Sequence, residues 1–124
     1  MRGARNPKRR EADEYLTRIK DIPFILSAKQ EQIKQWRELG YTAEQIEPLT
    51  RDDEKLRADF SEAVALIHRL SEINGKYAIV LEMRYIRGLK IADIADRMGY
   101  VTDWVDRFMN KALDEFGKIM EINK

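Results

Sequence analysis

The 124 residues suffice for one compact domain, or a small domain with an extension. Charged residues make up 36% of the chain, against only six glycines and three prolines, a balance that suits a mostly helical protein with a charged surface. The absence of cysteine excludes disulfides and thiolate metal sites and makes a reducing cytoplasm the plain reading, while no run approaches the ~18 apolar residues of a membrane span and no signal peptide is visible.

The net charge of +1 is unevenly spread. Residues 1–10 carry five cations and no acid, residues 11–74 nine basic against fourteen acidic residues, and residues 75–124 nine against eight. Electrostatic attraction to nucleic acid therefore has to come from the arm and from local patches. The arm has no apolar face to bury and is predicted to be disordered in isolation. It suits either a phosphate backbone or minor groove, or a plain solubilising tail.

From Glu11 to Leu39 the apolar residues keep a seven-residue register. Ala12, Tyr15, Ile19, Ile22, Leu26, Ile33 and Trp36 alternate steps of three and four, with Lys29 the one polar intruder. Pro23 falls inside this helix, where a proline costs ~3 kcal/mol, so a kink or a junction of two helices is expected there. Gly40 ends the segment. Thr42 to Gln45 has the capping-box pattern and starts a short turn that Pro48 is expected to stop. Thr50 to Asp53 is a second capping-type start, for a helix running to Asn74 with Leu56, Phe60, Ala63, Ile67 and Leu70 in heptad steps and Gly75 as its stop. Residues 11–74 thus read as an amphipathic, coiled-coil-like helical hairpin, with a seam that faces either itself or a second subunit. His68, the only histidine, reads as a structural or surface imidazole on that seam.

Residues 75–124 hold three further apolar blocks divided by glycines. Ile79, Val80, Met83, Tyr85 and Ile86 precede Gly88; Ile91, Ile94, Ala95 and Met98 precede Gly99; Val105, Phe108, Met109, Ala112, Leu113 and Phe116 follow. Each is a helical stripe with one buried face. Gly88 and Gly99 stand where a left-handed residue closes a helix, and Thr102 is the expected N-cap of the last one. A short helix, a tight glycine turn and a longer helix predict a helix-turn-helix.

The residues that carry this pattern are Leu81, Arg84–Tyr85, Gly88, Ile91 to Ala95, Met98–Gly99, Val105 and Lys111 to Leu113. They resemble region 4 of sigma-70-type factors, and in particular the ArpU/RinA-type late-operon regulators of phages of Gram-positive bacteria. The specific part of the resemblance covers roughly residues 77–116. It implies an all-α protein whose helical segment precedes a sigma region 4-like helix-turn-helix, acting in a bacterial host cytoplasm as a phage-type, sequence-specific transcriptional regulator. Double-stranded DNA is the partner this implies, with RNA polymerase as a further one; a homodimer is expected from the narrow apolar seam between Ala12 and Trp36.

Carried over from that pattern, Thr102, Asp103, Asp106, Arg107 and Asn110 are the candidates to reach base edges. An arginine suits guanine, an asparagine adenine, and a carboxylate cytosine. Arg84, Arg87, Lys90, Arg97 and Lys111 are the candidates for phosphate contact. Trp104, at the edge of the buried stripe, either packs on the preceding helix or stacks along the DNA backbone. Asp103 and Asp106 stand where related recognition helices present arginines, and both repel phosphates. Two other readings share the fold: a protein-interaction module, and a small-terminase-like packaging protein. No nucleophile elbow, P-loop or metal-binding spacing occurs, so the sequence implies neither an enzyme nor a metal or cofactor.

Overall fold

A computed structural model describes residues 6–122; within them the protein is helical and contains no strand. Helix α1 runs from Pro7 to Glu38. Asn6 caps it, its side-chain oxygen accepting from the backbone N–H of Lys8 at 3.0 Å and of Arg9 at 3.2 Å. Pro7 at the first helical position loses no bond, because that N–H has no intrahelical acceptor anyway. The cationic arm is therefore shorter than its charge suggested. Residues 7–10 are the first turn of α1, and the expectation of disorder for residues 1–5 lies outside the described residues.

Pro23 does not divide α1, which continues through it as one element. Its ring lies on the exposed side, while Ile19 and Ile22 before it are buried against Ala63 and Leu26 after it packs on the same cluster, so contacts on both sides of the proline hold the helix together. Gly40, at φ +89°, turns the chain, and Trp36 rests on Tyr41 across that turn at 5.1 Å. Helix α2, Ala43–Thr50, opens with the expected capping box: Thr42 accepts from the Gln45 N–H, and Gln45 accepts from the Thr42 N–H. Pro48 lies within α2 rather than stopping it. In a helix of eight residues its missing N–H removes only one bond.

Helix α3 spans Asp53–Leu70. Thr50 is not its cap, because the Thr50 hydroxyl donates back to the Glu47 carbonyl at 3.0 Å and Asp52 occupies the N-cap position. Asp53 is the buried acid of the fold, and Lys29 reaches it at 3.2 Å. The polar intruder in the α1 seam is thus the partner of a carboxylate on α3. With Lys29 opposite Asp53, and Ile19 and Ile22 opposite Ala63, α1 and α3 run antiparallel. The seam from Ala12 to Trp36 is covered in part within the chain, with Tyr15, Leu26 and Trp36 half-buried. Its buried members are Ala12, Ile19, Ile22 and Ile33, joined by Leu16.

Helix α3 stops four residues earlier than expected. Asn74 caps a new helix, α4, Gly75–Leu81, accepting from the Lys76 N–H at 2.9 Å, and Gly75 is its first residue rather than the stop of α3. From Glu82 to Ile86 α4 widens into a π-turn, where the Arg87 N–H bonds the Glu82 carbonyl five residues back. That extra residue per turn rotates the buried face. Val80, Leu81 and Tyr85 are buried, whereas Ile79, expected in the core, is 46% exposed.

Gly88, at φ +70°, ends this segment, and helix α5 follows from Ile91 to Met98. Gly99 is its left-handed C-cap, at φ +76°. Helix α6, Thr102–Ile122, is the last element of the described residues, with Thr102 as its first helical residue instead of its cap. One core joins all the longer helices: Leu16 from α1 and Leu70 from α3 meet Leu81, Ile94, Met109 and Phe116. Ala12 and Leu16 complete the hydrophobic environment of the last helix, so its stability depends on the first.

Candidate nucleic-acid interface

Helices α5 and α6 are joined by three residues, Gly99, Tyr100 and Val101. The left-handed Gly99 lets the Gly99 and Tyr100 N–H groups both bond the Ala95 carbonyl, at 2.9 and 3.0 Å, which fixes the turn tightly. Ile94 and Ala95 pin α5 to the core, and Val105 and Met109 pin α6. The first turns of α6 then project outward beside an equally exposed α5 surface carrying Asp93, Asp96 and Arg97.

Of the expected base-reading residues, Thr102, Asp103 and Arg107 are exposed. Asp106 and Asn110 are half-buried. Asp106 is engaged in an interaction of its own, and the Asn110 side-chain oxygen is buried without a protein partner. The five therefore divide, with Thr102, Asp103 and Arg107 open to a ligand and the other two turned towards the protein.

The expected phosphate contacts divide as well. Arg87, Lys90, Arg97 and Lys111 are exposed. Arg84 is half-buried, and its guanidinium donates to the Leu89 carbonyl at 3.0 Å, which holds the loop between α4 and α5. One arginine of the resembling pattern thus has a visible structural task.

Trp104 packs rather than standing free. Its ring lies 3.8 Å from Tyr100 and 4.5 Å from Phe108, nearly parallel to both, and Phe108 meets Tyr77 at 4.8 Å. At the outer ring of this column the Lys76 ammonium donates to the Tyr100 hydroxyl at 3.2 Å. Both faces of Trp104 are taken up by Tyr100 and Phe108, so the column stiffens the turn and the start of α6.

The second half of α6 carries contacts that the sequence reading overlooked. Arg9 donates to Asp114 through Nε at 2.6 Å and Nη2 at 2.8 Å, and the Asn6 amide adds a third bond at 3.3 Å. That bidentate carboxylate partner pushes the Arg9 guanidinium pKa upward. Lys8 pairs with Glu121 at 3.3 Å. The helices approach so closely that a Cβ on Gly117 would lie 2.9 Å from the Lys8 carbonyl oxygen. The Asn6–Pro7 dipeptide was the readable signal for this helix start; nothing local in the sequence marks the pairing of Arg9 with Asp114.

His68 is exposed on α3. No helix among the described residues is long and apolar enough to cross a membrane. Comparison of the chain with protein-family models, with curated proteins and with solved structures gives no match.

Proposed function

We propose that this protein is a sequence-specific duplex-DNA-binding regulator of the phage type, a binding protein and not an enzyme. In this reading α5 and α6 are a helix-turn-helix like that of sigma region 4, and α1 with α3 is the helical hairpin that braces it. The observation that carries it is the opening of α6. A tight left-handed glycine turn and an aromatic column hold its first two turns rigid while Thr102, Asp103 and Arg107 face solvent. Rigid presentation of a few polar side chains on a helix is what major-groove readout requires. Arg87, Lys90 and Arg97 supply cations for the flanking phosphates. The test is affinity selection from a random duplex pool, followed by binding at several salt concentrations. A selected motif and a negative log–log salt slope are expected. A pool that yields no enrichment removes this reading.

A second reading, association through the protein's own surface, is favoured by a cleft of about 550 Å3 between α3 and α4. Val64 and Ile79 line it exposed, with His68 on the α3 side and Glu82 on the α4 side. A second copy suits this cleft best. Pairing about a twofold axis covers the exposed Val64 and Ile79 of both copies. Ile79→Asp is expected to shift a dimer to monomer in sedimentation, and a parent that is monomeric at high concentration rules the pairing out.

A further inference from the structure

Arg107, Lys111, Asp114 and Lys118 recur along α6 at i, i+4, i+7 and i+11, so they share one stripe about 16 Å long. Three of the four are cations. The fourth, Asp114, has its charge met by both ends of the Arg9 guanidinium and by the Asn6 amide. A cleft of about 400 Å3 opens on this stripe, lined by Lys8, Lys111 and Lys118 together with Asn6, Tyr77, Asp114 and Glu115.

The acids near the stripe are weakly held competitors. Glu115 bonds Lys118 at 3.1 Å and Glu121 bonds Lys8 at 3.3 Å, and in both pairs the lysine is more than half exposed. Exposed ion pairs of this kind give up their partners readily to a stronger anion. The cations are strung along a line instead of converging on a point, which suits a chain of phosphates better than a single small anion. Lys111 and Lys118 also lie on the same helix as Thr102, Asp103 and Arg107, about one and three turns beyond Arg107, while Lys8 joins them from the start of α1.

We propose that this stripe is a track for the phosphate backbone of duplex DNA, kept cationic by the grip of Arg9 on Asp114. The inference rests on the DNA-binding reading and extends it from Lys111, already a candidate for phosphate contact, to Lys8, Arg9 and Lys118, which lie outside the helix-turn-helix pattern. Lys8, Lys111 and Lys118 contact phosphate as mobile point charges. Arg9 is a positioning residue: its Nε and Nη2 donate to Asp114, and its task is to cancel a charge that would repel the backbone from the middle of the track. The start of α1, which the sequence presented as a loose basic tail, becomes a built part of the binding surface.

The experiment uses the full chain and a labelled 20-base-pair duplex of random sequence, followed by fluorescence anisotropy across a salt series. Lys8→Ala, Lys111→Ala and Lys118→Ala should each weaken binding to all sequences alike and reduce the log–log salt slope by about 0.9. Arg9→Met should weaken binding too, because Asp114 is then uncovered. Arg9→Met combined with Asp114→Asn should restore the parental affinity, an outcome that a merely structural role for Arg9 does not produce. Thermal melts establish that each variant is folded. Lysine variants with the parental salt slope, or a double variant as weak as Arg9→Met alone, overturn the track. If those variants bind as the parent does while Arg107→Ala still loses sequence preference, the DNA reading stands without it. A parent that binds no duplex removes both.

Discussion

The two halves of α6 are held by different kinds of contact. The C-terminal half is fixed by residues far away in sequence: Phe116 stacks on Tyr15, Gly117 admits the Lys8 backbone, and Asp114 grips Arg9 from 105 positions away. The N-terminal half shares the core through Val105 and Met109, and its outer side is held by near neighbours, through the Gly99 turn and the column of Tyr100, Trp104 and Phe108. One half is an anchor and the other a presented surface. A helix clamped at one end and stiffened at the other holds its exposed side chains in place without burying them, which a recognition surface needs.

The sharpest way to break this contrast is to weaken the anchor. Phe116→Ala removes a fully buried ring where α1 meets α6 and should cost ~3–5 kcal/mol in urea unfolding. Next comes Gly117→Ala. In an exposed helix this change gains up to ~1 kcal/mol, but here the new methyl meets the Lys8 carbonyl, so a net loss of ~1–3 kcal/mol is expected. A stabilised Gly117→Ala protein, measured by the same unfolding curve, would show that α1 does not dock against α6.

The presented half should respond more mildly. Gly99→Ala forces a left-handed conformation on a residue with a Cβ, although nothing lies within 4 Å of the site, so its cost is pure backbone strain of ~1–2 kcal/mol. Circular dichroism melts should show this loss with helix content otherwise kept. Asp103→Asn is the smallest change. It removes an acid from the first turn of α6 and should cost a few tenths of a kcal/mol in stability, up to ~1. The same variant should bind random duplex more tightly than the parent, because one charge that repels phosphate is gone.

Local features were legible in the sequence, and long-range ones were not. Gly40, Gly88 and Gly99 turn the chain at positive φ where the apolar periodicity breaks, because the requirement for glycine is a property of a few successive residues. The capping box of Thr42 and Gln45 was readable for the same reason. Gly75 misled because Asn74, a good N-cap, precedes it and opens a helix. Ile79 misled because a π-turn alters the helical period, which a stripe of threes and fours cannot reveal. Within the candidate interface, the exposure of Thr102, Asp103 and Arg107 follows from the α6 stripe alone. The pairing of Lys29 with Asp53 and of Arg9 with Asp114 joins distant segments, and no spacing in the chain encodes it. Gly117 reads in sequence only as a weak helix former, and its value appears when another backbone crosses it.

Arg107 tests the account most directly, because it is exposed, lies off the buried stripe and belongs to the presented half of α6. The measurement is the dissociation constant for the best duplex selected from a random pool, compared between the parent and Arg107→Ala, with an unfolding curve for each. Arg107→Ala is expected to lose ~1–3 kcal/mol in specific binding, to relax the preference at one base pair, and to keep its stability within ~0.5 kcal/mol of the parent. A folded Arg107→Ala protein that binds the selected duplex as tightly and as selectively as the parent would contradict the account.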